Sequence, residues 1–252
     1  MDTLYNPYSL NGKTVLVTGA SSGIGAAIAV ECSKMGANVI LSGRNEQKLE
    51  KTFNLLASPS CQEHQIIVAD LSDEAQIMDL AEKTPPLDGL VNNAGINRVK
   101  PVSFIKQSDL DYVFANNTFG HVNLTRALLK KKKLNANGSI VFTSSVSAFF
   151  NAPGRALYSS SKAALTSFMR SFAVELAAKG IRANAIHPGM VETKLIHENL
   201  SEDELQKGLA DYPLNRYGKP EEIAWAIIYL LSDASSWITG TSLTIDGGFM
   251  LK

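Results

Sequence analysis

Val15-Leu16-Val17-Thr18-Gly19-Ala20-Ser21-Ser22-Gly23-Ile24-Gly25 joins a short β-branched run to an apolar-periodic stretch that continues to Met35. The run reads as a buried strand, the stretch as a helix, and the glycines between them as a tight turn. Glycines lack Cβ atoms, so such a turn can bring backbone close to a ligand. The free N–H groups and dipole of the following helix then face an anion such as a pyrophosphate. The spacing is G-x-x-x-G-x-G rather than the commoner G-x-G-x-x-G. A glycine-rich turn without a ligand would use the same letters, so the strand-turn-helix context carries the reading. Gly19, Ser21, Ser22, Gly23, Ile24 and Gly25 are the candidate contacts.

The same alternation extends outward from this turn. Val39–Leu41, Ile66–Val68, Leu90–Val91, Ile140–Phe142, Ala183–Ile186 and Leu243–Ile245 read as further strands. Helical patterns lie near 24–35, 45–56, 73–83, 108–133, 157–179 and 220–232. Strands alternating with helices imply crossovers on both faces of a parallel sheet, hence a doubly wound α/β fold. With no linker-like shift of composition, 1–252 reads as a single domain. Its least regular part, 190–217, holds a charged helical piece, Ser201–Lys207. An excursion after a late strand lies at the carboxyl edge of the sheet, where ligands bind, so 190–217 is a candidate substrate lid. A surface loop with a short helix reads the same way.

Acidic and basic residues balance at 24 each, which gives no overall charge to attract nucleic acid or an anionic membrane. No apolar run has the roughly 20 residues of a membrane helix. The start, Met1-Asp2-Thr3-Leu4-Tyr5-Asn6-Pro7, has no signal-peptide pattern. Cys32 and Cys61 have no metal-ligand spacing, and the expected setting is the reducing cytoplasm.

The second strand ends in Gly43-Arg44. An acidic residue there would bind the adenosine ribose and repel a 2′-phosphate, whereas a guanidinium can pair with that phosphate. The expected cofactor is therefore NADP(H) in preference to NAD(H). A solvated arginine at a helix start is the alternative. Asp70, with Leu71, ends the third strand and can meet the adenine amino group, or can cap the next helix. Asn93, Ala94 and Gly95 follow the fourth strand, where backbone can approach a flat ligand; a plain turn also favours Asn and Gly.

Tyr158 and Lys162 stand one helical turn apart and share a face. A free tyrosine titrates near pH ~10, and bringing it close to neutrality takes about 4 kcal/mol of preference for the phenolate. A nearby ammonium supplies part of that. Such pairs also occur by accident on amphipathic helices. Ser145, just past the strand Ile140–Phe142, adds a hydroxyl at the carboxyl end of the sheet, with Ser144, Ser159, Ser160 and Ser161 as rivals.

Taken in order, Thr18–Gly25, Asn92–Gly95, Ser145, Tyr158-x-x-x-Lys162 and Pro188-Gly189 resemble the motifs of the short-chain dehydrogenases/reductases from about Gly12 to Gly248. The resemblance implies a seven-stranded Rossmann sheet and a catalytic group of Asn117, Ser145, Tyr158 and Lys162, with Asn117 chosen over Asn116 by the family's spacing. It implies that Tyr158 passes a proton to a carbonyl oxygen that Ser145 positions. Lys162 would lower the tyrosine pKa and hold the nicotinamide ribose, and Asn117 would hold a water. Pro188, Gly189 and Thr193 would meet the nicotinamide half of the cofactor. Most similar within the family are the 3-oxoacyl-[acyl-carrier-protein] reductases, followed by sugar and polyol dehydrogenases. An acyl-carrier protein is thus an expected partner, and the run Lys130–Lys133 with Lys179 is its candidate patch, although Ala136 stands where the resemblance expects a basic residue. The family also implies a homotetramer. A catalytically idle dinucleotide-binding sensor or scaffold is the reading from a different class.

Overall fold

A computed structural model of the chain describes residues 5–57, 62–193 and 201–251. Seven strands form one parallel sheet: β1 (Thr14–Thr18), β2 (Asn38–Gly43), β3 (Gln65–Val68), β4 (Leu87–Asn92), β5 (Leu134–Thr143), β6 (Arg182–Pro188) and β7 (Ser242–Ile245). Their order is β3-β2-β1-β4-β5-β6-β7. The chain winds outward one way from β1 and then the other way from β4, so a crevice opens where the carboxyl ends of these neighbours part.

The helices between them are α1 (Gly23–Lys34), α2 (Glu46–Phe53), α3 (Glu74–Lys83), α4 (Gln107–Phe114), α5 (Gly120–Lys130), α6 (Ala156–Leu176), α7 (Glu202–Leu209) and α8 (Pro220–Leu231). Alternate residues of each strand face opposite layers. Val15, Val17, Val39 and Leu41 join Ile28 of α1 and Ile223 and Ile227 of α8 in one core. Leu16, Ile40, Leu90 and Phe142 join Leu80 of α3, Leu124 of α5 and Leu165 of α6 in the other. Strands buried on both faces need the near-continuous apolar runs that the sequence shows.

Two departures from the sequence expectations bear on the site. The helix expected over 108–133 is interrupted by a π-turn, Ala115–Phe119, and ends at Lys130. Lys132 takes φ 54°, turning the chain into β5, which begins earlier than expected. The excursion after β6 is closed at its base by a bridge between Val191 and Gly218, with Gly218 N–H donating to the Met190 carbonyl and Glu192 N–H to that of Gly218. Leu205 of α7 packs with Tyr212 and Tyr217 in a small third cluster. Residues 194–200 of the expected lid lie outside the described residues, as does Cys61.

Candidate functional site

At the end of β1 the chain turns through Gly19, whose φ of 66° favours glycine. A Cβ on Gly19 would lie 2.7 Å from the Ala94 backbone, and one on Gly25 would lie 2.1 Å from the Gly19 carbonyl oxygen. The cradle is therefore closed to any side chain. Ser22 stands at the N-cap of α1 without a side-chain capping bond, so the helix start is left for another acceptor. Thr193 lies over this turn: its Cγ2 is 3.3 Å from where a Gly23 Cβ would be. Gly43 approaches Ser21, bringing the end of β2 to the same edge. Exposed backbone donors at a helix start, in a cradle with no room for side chains, fit a dinucleotide pyrophosphate.

Thr18 was not among the expected contacts, yet it ties this turn to the next strand. Its hydroxyl donates to the Val91 carbonyl and accepts from Asn93 N–H at 2.9 Å and Ala94 N–H at 3.2 Å. His121 holds the other side: Nε2 is 2.6 Å from the Ala94 carbonyl oxygen and Nδ1 is 3.3 Å from Asn92 Oδ1. Burial, reinforced by the Lys162 charge, pushes the His121 pKa down to about 3, so the ring is neutral. Its position one helical turn after Asn117 was the available signal.

Arg44 is half exposed, with Nη1 3.9 Å from Asp70 Oδ2. Asp70 accepts from Ser72 N–H and hydroxyl, forming a local turn, while the cap of α3 is Asp73. The capping role open to Asp70 in the sequence thus belongs to Asp73. Leu71 is buried in the core, with its carbonyl oxygen 2.4 Å from where a Gly120 Cβ would be. Gly189 N–H donates to the Ile245 carbonyl at 2.9 Å and follows Pro188 at the end of β6.

The polar centre lies across the crevice. Among the serines, Ser144 bonds the Lys162 carbonyl and Thr166, Ser160 the Ala156 carbonyl, and Ser161 the Tyr158 carbonyl. Ser159 is buried, and its Oγ has no partner among the described residues. The Ser145 hydroxyl instead accepts from Ser147 N–H and stands close enough to the Tyr158 phenol to favour its charged form. Lys162, 3 % exposed, donates from Nζ to the Thr143 carbonyl at 2.8 Å. Burial pushes its pKa down to about 8. Burial also pushes the Tyr158 phenol above its ordinary value, against the Ser145 hydroxyl and the Arg155 charge. The expected depression of this phenol is therefore absent from the protein alone.

Asn116 bonds back to the Tyr112 carbonyl within its own helix. Asn117 turns inward from the π-turn: Oδ1 accepts from Ile96 N–H at 2.8 Å, and Nδ2 donates to the Ile96 carbonyl and the Ser161 hydroxyl. Its side chain thus anchors the segment after Gly95. A π-turn rotates this residue out of the α-helical register, a common device at functional positions. Phe149 and Phe150 stand half exposed beyond Ser145, whereas Leu157 and Val191 are buried in the core. Arg98 pairs with buried Asp109 at 2.7 Å and lies over the Tyr112 ring.

Comparison with known proteins agrees with this architecture. The family model described as enoyl-(acyl carrier protein) reductase matches residues 19–250. A 3-oxoacyl-[acyl-carrier-protein] reductase of Rickettsia felis is 37% identical over 242 residues, covering 96% of this chain and 98% of that protein. A glucose 1-dehydrogenase of Gluconobacter oxydans is also 37% identical, over 95% of this chain and 92% of its own. A solved short-chain type dehydrogenase/reductase from Mycobacterium marinum superposes with a TM-score of 0.88 at 29% identity, covering 98% of both chains. The chain belongs to the short-chain dehydrogenase/reductase family, oxidoreductases that interconvert CH–OH and C=O groups.

Proposed function

We propose that the protein reduces a ketone to a secondary alcohol with NADPH, the substrate being a 3-oxoacyl thioester. The observation that carries this reading is the convergence of the Ser145 hydroxyl, the Tyr158 phenol and the Lys162 ammonium beside the glycine cradle. Gly19, Ser21, Ser22, Gly23, Ile24 and Gly25 hold the pyrophosphate, Arg44 the 2′-phosphate, Asp70 and Leu71 the adenine side, and Asn93, Ala94 and Gly95 the ribose edge. Pro188, Gly189 and Thr193 hold the nicotinamide half. The bound cofactor supplies the hydride. Tyr158 gives its hydroxyl proton to the carbonyl oxygen, and Ser145 orients and polarises that oxygen. Lys162 holds a positive charge near the phenol and holds the ribose. Asn117 fixes the Ile96 backbone, and so the wall past Gly95, and holds a water that links Lys162 to solvent for proton return.

The 37% identity to a 3-oxoacyl-[acyl-carrier-protein] reductase supports a thioester substrate. Exposed Lys130, Lys132 and Lys179 support an acidic carrier protein as partner, although Lys131 and Lys133 are held by Glu82. That loss of two lysines, with equal identity to a glucose 1-dehydrogenase, favours a sugar or polyol as the second reading. Initial rates with NADPH and NADH, on an acetoacetyl thioester beside a panel of ketoses, test the choice. Fast, NADPH-selective thioester reduction is expected; turnover of ketoses alone overturns the thioester assignment.

Segment 190–217 is the proposed lid over this site, pivoting on the bridge between Val191 and Gly218. Equal proteolysis with and without NADPH would count against it. A homotetramer is proposed as the working assembly. Exposed Tyr112, Phe119, Phe168 and Val174 on the α4–α6 layer, and Trp237 at 98 % exposure before β7, support two apolar contact faces. Light scattering that gives a monomer mass would overturn it.

A further inference from the structure

We infer that His187 is a positioning residue for this reaction, holding the Ser145 backbone and the Phe149 ring in place for the carbonyl substrate. The inference rests on the roles proposed above for Ser145 and Tyr158.

His187 is the residue of β6 just before Pro188 and is fully buried. Its Nδ1 lies 2.9 Å from the Ser145 carbonyl oxygen. A carbonyl oxygen can only accept, so Nδ1 carries the proton and the ring is the δ tautomer. Nε2 is left with a lone pair and has no partner among the described residues. Burial holds the His187 pKa below its ordinary value despite the Ser145 bond, and the Arg170 and Lys162 charges act in the same direction.

The Phe149 ring sits on the imidazole with centroids 4.5 Å apart and planes at 32°. Phe149 is 49% exposed, so one side of its ring rests on His187 while the rest is open. The Ser145 carbonyl receives two donors, His187 Nδ1 and Ala148 N–H at 3.0 Å, and Ser144 N–H bonds the Ile186 carbonyl next door. His187 therefore joins three parts of the site: the serine, an apolar wall and the strand end that leads into Pro188-Gly189. A leucine or phenylalanine would fill the same volume without enclosing an unpaired acceptor. An enclosed lone pair is unfavourable for stability, so geometry at Ser145 is the better account of a histidine here.

The test compares His187→Leu and His187→Asn in the full chain, with Tyr158→Phe alongside. Asparagine can place an amide donor where Nδ1 stands; leucine cannot. His187→Leu should lower kcat roughly 10- to 100-fold, with NADPH affinity, read by fluorescence titration, unchanged. His187→Asn should recover most of the loss. In ¹⁵N spectra of the four histidines, the signal missing from His187→Asn should show protonated Nδ1 and bare Nε2. This last readout needs no turnover and stands even if His187→Leu does not fold. Wild-type kcat in His187→Leu, no difference between the two variants, or a protonated Nε2 would each overturn the assignment. If Tyr158→Phe is inactive while His187→Leu is normal, only the His187 assignment falls. If Tyr158→Phe stays active, the reading of the site itself fails.

Discussion

Lys162 Nζ lies 5.9 Å from the centre of the Tyr158 ring and is bonded to the Thr143 carbonyl. The ammonium is thus near the phenol but directed at backbone, and burial outweighs the Ser145 hydroxyl and the Arg155 charge that favour the phenolate. Tyr158 in the free protein should therefore titrate above pH 10, its ordinary value. An ultraviolet difference titration of wild type against Tyr158→Phe reads this directly. A wild-type-specific phenolate signal near neutrality, without cofactor, would mean that Lys162 alone activates the phenol.

Tyr158→Phe removes the proton donor while keeping the ring. Loss of general acid catalysis costs roughly 100- to 10,000-fold in rate. Cofactor affinity should hardly move, because Lys162 keeps its bond to Thr143 without help from the phenol. Near-normal turnover in this variant would remove Tyr158 from proton transfer.

The fold was legible because a sheet buried on both faces demands apolar strands, and Val15–Val17, Val39–Leu41 and Ile140–Phe142 supply them. Strand ends were less legible: Leu134–Ser139 of β5 lack the apolar run of the strand's middle. The π-turn at Ala115–Phe119 left no mark in the hydrophobic period, since one extra residue in a turn barely disturbs it. Motif spacing put Ser145 forward with Ser144 as a rival, and only coordinates show that the Ser144 hydroxyl is bonded to the Lys162 carbonyl and Thr166. His121 and His187 escaped notice for another reason. Each holds a backbone carbonyl, Ala94 or Ser145, and a carbonyl leaves no trace in residue identity.

Arg44 is half exposed just past β2, with the Asp70 carboxylate 3.9 Å away, and in its proposed role it pairs with a 2′-phosphate. Hydrogen bonds to charged groups contribute about 1.5–3 kcal/mol, so Arg44→Asp should cost NADPH roughly 10- to 100-fold in affinity and spare NADH. Fluorescence titration of both cofactors measures the ratio. An unchanged ratio would show that Arg44 is solvated and plays no part in selection.

Gly25→Ala would set a methyl carbon 2.1 Å from the Gly19 carbonyl oxygen and 2.6 Å from Asn93 Nδ2. Backbone must shift to relieve this, at a cost of about 1–3 kcal/mol in stability. The shift opens the turn proposed to hold the pyrophosphate, so affinity for NADPH and NADH should fall together. Equal affinity in the variant would place the dinucleotide elsewhere.

Lys162 carries a stability cost whose pH dependence has a definite sign. Burial brings its pKa from 10.5 down to about 8 in the folded chain. Below pH ~8 both states hold the proton and the whole penalty applies, on the order of 3 kcal/mol. Between that pH and the unfolded value, the unfolded chain binds more protons, so this group makes stability rise with pH. Above it the contribution is flat. Lys162→Met should remove both the penalty and the slope, leaving a variant that is inactive yet more stable at neutral pH by about 1–3 kcal/mol, because the lost Thr143 bond offsets part of the gain. Urea denaturation of both proteins at neutral and alkaline pH would show the two curves converging as pH rises. If Lys162→Met is instead the less stable at neutral pH, with the same slope as wild type, the ammonium is stabilised by its surroundings and is not a charge held there for chemistry.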